Sequence, residues 1–137
     1  MIVVDASALT PALADDGEAG THARARFRGE YLVAPEIIDL EILSVLRRQV
    51  AAGLLEPRRA EFALRHLLLL VMRRASHLPH LARCWELRHT VSPYDATYVA
   101  LAEAMGVHLV TADRRLARAP GIECEVEVLG TSAAELG

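Results

Sequence analysis

The sequence predicts an α/β protein, an α/β/α sandwich around a mainly parallel central sheet. Short β-branched runs alternate along the chain with longer segments whose apolar residues recur at helical spacing. The first run, Ile2-Val3-Val4, is apolar throughout, as expected of a strand that a parallel sheet buries on both faces. With 137 residues, of which 53% are hydrophobic, the chain suits one domain over residues 1–137.

The elements of the N-terminal half follow from these periodicities and from residues that start or stop them. In chain order we predict a strand at residues 2–4, helices at 6–14 and 21–29, a strand at 31–34 and a helix at 36–52. Asp5 and Ser7 are candidate N-caps of the first helix. A polar stretch at 15–18 precedes the second helix, Pro35 ends the strand, and Gly53 stops the long amphipathic helix.

The C-terminal half continues the alternation. In chain order we predict a helix from Pro57, helices at 80–87 and 92–105, a strand at 107–110, a short helix ending at Arg118 and an edge strand at 124–128. Residues 67–72 are ambiguous between the end of the first of these helices and a short strand. Ser92-Pro93-Tyr94-Asp95 is a sharp start for the helix at 92–105, and Gly106 ends it.

Charge composition excludes several classes of protein. The formal net charge is −3, so this is no globally basic nucleic-acid binder, although a local basic rim around an acidic site stays open. All 15 cationic residues are arginine, and the absence of lysine excludes Schiff-base chemistry and a Walker-type phosphate clamp.

Cysteines and hydropathy indicate a soluble cytoplasmic protein. Cys84 and Cys124 lack a CxxC or Cys/His metal spacing, so we expect both to be reduced and structural. Met1 leads directly into a strand without a signal-peptide pattern, and the apolar run at residues 67–72 is far too short to span a bilayer.

Acidic residues fall at positions where an α/β sheet places ligands. Asp5 directly follows the first strand, and Asp113 follows the strand at 107–110 closely; ligand sites of open α/β sheets lie beyond such strand ends. Asp95 lies in the first turn of a helix, and Glu41 lies beside the apolar stripe of the long helix.

Each of these acids also has a structural explanation. Asp5 and Asp113 fit helix N-caps, Ser92-x-x-Asp95 fits a capping box, and Glu41 fits a solvated helix position. Their combination is harder to explain structurally, because gathered carboxylates repel one another and need a cation. Hard oxygen ligands suit Mg²⁺ or Mn²⁺. The residues alone therefore predict an acidic metal site of unknown substrate.

Four segments in the right order and spacing resemble the PIN-domain toxins of VapBC type. They are Val3-Val4-Asp5-Ala6-Ser7-Ala8-Leu9, Glu41 followed by Ile42-Leu43-Ser44-Val45-Leu46-Arg47-Arg48, Tyr94-Asp95-Ala96-x-Tyr98-Val99-Ala100-Leu101-Ala102, and Leu109-Val110-Thr111-Ala112-Asp113-x-x-Leu116. The resemblance extends from Ile2 to about Val128. No departure occurs at the family's acidic positions, which correspond here to Asp5, Glu41, Asp95 and Asp113.

The resemblance implies a PIN-like fold and a metal-dependent endoribonuclease. The metal, Mg²⁺ or Mn²⁺, would be held by Asp5, Asp95 and Asp113, with Glu41 as a further catalytic acid. It would activate a water that attacks the phosphorus and leaves 5′-phosphate and 3′-hydroxyl ends. Ser7 and Thr111 match supporting hydroxyl residues, although roles as caps or turn residues are equally open.

The resemblance also implies partners: an RNA substrate, a cognate antitoxin and a second copy of the chain in a homodimer. Arg114 and Arg115 are candidate RNA contacts, with a solvated helix face as the alternative. The other arginine pairs, including Arg47-Arg48, we interpret as surface charge. Tyr98 lies near the site and is expected to pack in the core.

Three other functions are alternatives to a nuclease. A phosphoacceptor receiver domain needs a lysine that this chain lacks, and a haloacid-dehalogenase-like phosphatase needs an acid where Ser7 stands. A non-catalytic partner-binding module on a PIN-like fold remains the alternative if the acidic residues bind no metal.

Overall fold

The computed structural model describes residues 1–130, so residues 131–137 of the predicted domain lie outside the described residues. Within residues 1–130, five strands alternate with seven α-helices, which confirms the predicted α/β class. No helix in this part of the chain combines the length and apolar character needed to cross a bilayer.

All described strands belong to one parallel sheet. They are β1 (Ile2–Val4), β2 (Leu32–Pro35), β3 (Met72–Ala75), β4 (Leu109–Thr111) and β5 (Val126–Val128). Their order across the sheet is β3-β2-β1-β4-β5. In the centre, Val3 of β1 pairs with Val33 on one side and Leu109 on the other. The strand at the C-terminal end is an edge strand, as predicted.

Helices cover the sheet in two groups. They are α1 (Ala6–Ala14), α2 (Glu18–Phe27), α3 (Ile38–Ala51), α4 (Pro57–Leu69), α5 (Leu81–Glu86), α6 (Pro93–Met105) and α7 (Arg114–Arg118), with a 3₁₀ turn at Leu78–His80. The first group forms around α1, which packs against α2, α3 and α4. In the second group, α5 packs against α6, which lies on β1 and β2. Right-handed crossovers in opposite directions along the sheet produce this division.

The direction of the chain reverses beside the central strand. From β1 the chain moves outward through β2 to β3 and then returns across the sheet to β4, on the other side of β1. Connections that leave β1 and β4 therefore diverge and open a crevice at their carboxyl ends. Asp5 and Asp113 follow these two strands, so the topology brings both acids to this crevice.

The unpredicted strand is β3, at Met72–Ala75. The ambiguous segment at 67–72 is in fact divided: α4 continues through Leu69, and the strand begins at Met72. Met72-Arg73-Arg74-Ala75 carries no β-branched residue, so its strand conformation depends on pairing with β2 along its whole length.

Several predicted element boundaries were wrong by two or three residues. Strand β4 begins at Leu109 instead of residue 107, because the N–H of Val107 bonds back to the carbonyl of Ala102 at the end of α6. Helix α2 begins at Glu18, inside the stretch predicted to be irregular, with Gly17 as its N-cap. Strand β5 begins at Val126 instead of residue 124.

The core lies between the sheet and the apolar faces of the helices. Ile38, Ile42 and Leu46 recur at intervals of four residues along α3 and are buried, as its amphipathic pattern predicts. Val3 and Val110 of the central strands have no exposed surface. Cys84 and Cys124 are both free, in agreement with the prediction.

Candidate active site

Asp5 is the most enclosed of the predicted site residues. It ends β1 and N-caps α1, and 7% of its surface is exposed. Its Oδ1 accepts hydrogen bonds from the Ser7 hydroxyl at 2.7 Å and the Ala8 N–H at 3.0 Å. Its Oδ2 accepts one from the Thr111 hydroxyl at 2.5 Å. Three donors thus fix the orientation of this carboxylate, and Asp5 rather than Ser7 is the cap.

Ser7 and Thr111 connect Asp5 to the segment that carries Asp113. The Ser7 Oγ accepts a hydrogen bond from the Ala112 N–H at 2.9 Å, and the Thr111 Oγ1 accepts one from the Asp113 N–H at 3.0 Å. The two hydroxyl oxygens are themselves 3.2 Å apart. Each hydroxyl therefore supports the Asp5 carboxylate and fixes the start of the Asp113 loop at the same time.

Glu41 is held by a residue from another helix. Its Oε1 accepts a hydrogen bond from the Tyr98 hydroxyl at 2.5 Å, across 57 positions of sequence. Tyr98 is 1% exposed and packs in the core, as predicted, but its hydroxyl also reaches the site. Asp39, two residues before Glu41, instead forms an ion pair with Arg74 at 2.9 Å and so belongs to a different face of α3.

Asp95 and Asp113 lie at the N-termini of α6 and α7. Ser92 caps α6 by accepting a hydrogen bond from the Asp95 N–H at 3.1 Å, which leaves the Asp95 carboxylate available to the site. Asp113 caps α7 by accepting from the Arg115 N–H at 2.9 Å. The Arg115 guanidinium forms an ion pair with the same carboxylate at 3.2 Å. Asp95 and Asp113 thus belong to helix N-termini and lie at the site at the same time.

The predicted acidic residues converge on one pocket of about 300 Å³. Its polar lining residues are Asp5, Ser7, Glu41, Ser44, Arg48, Asp95, Tyr98 and Asp113. Thr111 contacts the pocket through Asp5. Of the candidate RNA contacts, Arg115 lies in an adjoining depression with Asp95 and Asp113, and Arg114 is exposed at the first position of α7. Arg48 is a lining residue that sequence reasoning treated as surface charge.

Burial disfavours the ionised form of several carboxyl groups in the pocket. It raises the pKa of Asp5, against the opposing effect of the hydrogen bonds from Thr111, Ser7 and Ala8. Burial also raises the pKa of Glu41 and that of Asp95, and the neighbouring charge of Asp113 raises the pKa of Asp95 further. The pKa values of these acids are therefore shifted in the direction that a bound cation would reverse.

Asp113 has the opposite electrostatic environment. The hydrogen bond from the Arg115 side chain holds the pKa of this carboxyl below its ordinary value. The pocket thus combines one readily ionised carboxylate with several whose ionisation is opposed. Pronounced pKa perturbation within a concave site is typical of functional residues.

The residues present fit a hard divalent cation. Carboxylate and hydroxyl oxygens line the pocket, and oxygen is the donor that Mg²⁺ and Mn²⁺ prefer. Between residues 1 and 130, no three His, Cys, Asp or Glu side chains stand close enough to form a ready-made ligand set.

The PIN domain model of known protein families matches residues 2–122. The chain belongs to the PIN-domain family. The match extends from β1 past the helix that Asp113 caps, so it includes every predicted acidic site residue. The predicted family is therefore confirmed.

Sequence relatives of this PIN-domain protein are VapC ribonucleases. Ribonuclease VapC1 of Mycobacterium tuberculosis is 41% identical over 128 residues, which cover 93% of this chain and 96% of the relative. Ribonuclease VapC9 of the same organism is 41% identical over 129 residues, covering 94% and 98%. This degree of identity over nearly the full length places the protein among the VapC ribonucleases.

A solved structure supports the fold independently. VapC20 of Mycobacterium tuberculosis, described as a toxin that cleaves the sarcin–ricin loop, matches with a TM-score of 0.68 at 20% sequence identity. The match covers 90% of this chain and 97% of VapC20. At this identity the likeness shows the shared PIN fold alone.

Proposed function

We propose that this PIN-domain protein is an endoribonuclease toxin of a type II toxin–antitoxin pair that hydrolyses RNA phosphodiester bonds with Mg²⁺ or Mn²⁺. One observation carries the proposal: Asp5, Glu41, Asp95 and Asp113 line a single pocket at the switch point of the sheet. Membership of the VapC ribonucleases supports RNA as the substrate.

In this proposal Asp5, Asp95 and Asp113 hold the metal, directly or through water. A divalent cation bound there would polarise the phosphate and lower the pKa of water. Ser7 and Thr111 orient the Asp5 carboxylate through hydrogen bonds of 2.7 and 2.5 Å. Preorganisation of this kind reduces the reorganisation that binding and reaction require.

Glu41 has a different role. Its carboxylate is half-buried, and burial raises its pKa, which makes it a better proton acceptor than an exposed glutamate. Tyr98 fixes the position of this carboxylate from the core side. We therefore assign Glu41 to orient the attacking water and accept its proton. The water oxygen bonds to phosphorus as the P–O3′ bond breaks in line, and the departing 3′ oxygen takes a proton from solvent, which gives 5′-phosphate and 3′-hydroxyl ends.

Arg114 and Arg115 are proposed as contacts to the RNA backbone. Arg115 is exposed beside Asp113, and Arg114 is exposed at the start of the same helix. Arginine pairs with phosphate through charge-assisted hydrogen bonds, which position RNA without reading its sequence. Release of Arg115 from Asp113 on metal binding would free its guanidinium for phosphate.

The proposed partners are a cognate antitoxin and a second copy of the chain. Both follow from the resemblance to VapBC toxins. Around the end of α4, Leu68, Leu69 and Val71 are 75%, 80% and 90% exposed, and an apolar patch of this kind is typical of protein–protein contact. Light scattering of the purified protein, alone and co-expressed with the product of the neighbouring gene, measures both associations.

RNA cleavage by the purified protein tests the proposed activity. We expect cutting of a mixed RNA pool with Mg²⁺ or Mn²⁺, none with EDTA, and none by Asp5→Asn. Asp39→Asn is the matched control, because Asp39 lies on the same helix as Glu41 but pairs with Arg74 outside the pocket. Cutting that survives EDTA or Asp5→Asn contradicts the proposal. Absence of both cutting and calorimetric metal binding would favour a non-catalytic binding module.

A further inference from the structure

Arg48 brings a positive charge into the acidic pocket from α3. It lies seven residues after Glu41, which is two helical turns, so both side chains belong to the same face of the helix. Ser44 and Val45 lie between them on that face and also line the pocket. The helix therefore presents an acid at the metal end of the pocket and an arginine two turns further out.

The Arg48 guanidinium is free to bind a ligand. Arg48 is exposed, and its guanidinium forms no hydrogen bond or ion pair with any residue between 1 and 130. In contrast, the guanidinium of Arg115 on the other side of the site forms an ion pair with Asp113. An unpaired guanidinium beside carboxylates that it does not neutralise is placed to receive an anion.

An anionic substrate has to enter this acidic pocket, and the pocket needs cations at its rim for that purpose. Arg48 lies on the α3 side, while Arg115 lies in the depression on the α7 side, with Asp95 and Asp113 between them. An extended RNA strand carries one phosphate per nucleotide and so offers successive charges to both sides. The acidic centre then receives the scissile phosphate.

We infer that Arg48 binds a phosphate of the RNA backbone adjacent to the scissile one, on the α3 side of the pocket. The inference rests on the proposed function, because it concerns how the substrate lies in that site. An acidic peptide is the competing ligand, but its carboxylates would meet Asp5, Glu41 and Asp95 without taking part in the reaction.

Substitution of neighbouring arginines tests this contact. We expect Arg48→Ala to raise the KM for a labelled single-stranded RNA about fivefold with little change in kcat, because a remote contact contributes equally to ground and transition states. Arg48→Lys should retain part of the affinity, since lysine binds phosphate as a point charge. Arg47→Ala is the matched control: Arg47 is exposed on the same helix but lines a separate apolar depression between α3 and α4.

The dependence of kcat/KM on salt concentration distinguishes a phosphate contact of Arg48 from a purely structural role, which would leave this dependence unchanged. Loss of one phosphate contact should reduce the slope of log(kcat/KM) against log[salt] by about 0.7 for a single strand. Equal effects of Arg48→Ala and Arg47→Ala, or a lower kcat with unchanged KM and slope, overturn the inference.

Binding without cleavage separates this inference from the proposed function. Fluorescence anisotropy with the same RNA in Ca²⁺, with RNA integrity checked on a denaturing gel, measures affinity even if the wild type never cuts. Weaker RNA binding by Arg48→Ala alone supports the contact. Unchanged RNA binding together with weaker binding of a polyglutamate peptide assigns Arg48 to an acidic protein partner and overturns it.

Discussion

Asp5 and Asp113 occupy equivalent places in the chain, but their surroundings differ. Each follows a central parallel strand and N-caps the next helix. Asp5 is buried beneath hydrogen bonds from Ser7 and Thr111, and burial raises its pKa. Asp113 lies at the surface, where Arg115 lowers its pKa. The same strand–acid–helix pattern thus produces two carboxylates with opposite tendencies to ionise.

This difference indicates a division of work within the site. A buried carboxylate held by several donors gives a fixed position but gains most from a cation. A surface carboxylate paired with an arginine ionises easily but already has a counter-charge. We therefore expect Asp5 to anchor the metal and Asp113 to complete the site more loosely.

The largest expected effect compares the two acids directly. Asp5→Asn should reduce RNA cleavage about 1,000-fold, because the more enclosed of the proposed metal ligands is lost. Asp113→Asn should reduce it about 10- to 100-fold. Single-turnover cleavage over a series of Mn²⁺ concentrations measures both, and excess metal should rescue Asp113→Asn better. An equal or greater loss in Asp113→Asn would contradict the division.

Thr111→Val removes the hydroxyl that donates a hydrogen bond to Asp5, a bond for which Asp113 has no equivalent within residues 1–130. The buried Oδ2 of Asp5 then loses its partner, which should lower the free energy of unfolding by about 1–3 kcal/mol. Cleavage should fall about tenfold, because the carboxylate is less well oriented. Thr10→Val is the control: Thr10 is also buried, but its hydroxyl bonds to the Ala6 carbonyl. Chemical denaturation measures the free energy of unfolding of both variants, and cleavage assays measure their rates. We expect only Thr111→Val to lose cleavage activity.

Tyr98→Phe tests whether core packing alone explains Tyr98. Loss of the hydrogen bond to Glu41 should cost about 1 kcal/mol of folding free energy. It should reduce kcat about three- to tenfold, because Glu41 loses its fixed position. Tyr94→Phe, at a residue that is 57% exposed, should change neither quantity. If kcat of Tyr98→Phe equals that of the wild type, Tyr98 serves only in core packing and does not contribute to catalysis.

The smallest expected effect concerns pH and stability without metal. The pKa of Asp5 is raised in the folded protein, so its contribution to stability is present below its unfolded pKa of about 4 and is lost as pH rises through the folded value. In EDTA, wild type should therefore lose stability relative to Asp5→Asn as pH increases from 4 upward. Thermal unfolding of both proteins measures this difference in stability, and Mg²⁺ should reduce it. If the difference in stability between wild type and Asp5→Asn does not change with pH, burial does not disfavour the ionised form of Asp5.

Local patterns made much of the fold predictable. Caps, glycine stops and apolar periodicity act within a few residues, and they placed β1, α1, α3 and α6 close to their observed positions. They failed at β3, where Arg73 and Arg74 occupy a strand that only its pairing with β2 stabilises. They also missed Arg48, although its spacing of seven residues from Glu41 on one helix was visible in the sequence.

The sequence by itself determined the α/β alternation, the acidic residues and the family, because these depend on local propensity and on residue identity. Only the tertiary structure decided that Tyr98 holds Glu41, that Arg48 lines the same pocket as the acids, and that Asp5 and Asp113 differ in burial. Such properties arise between distant parts of the chain: the hydrogen bond from Thr111 to Asp5 spans 106 positions. Burial and charge environment depend on how those segments pack, so no local pattern encodes them.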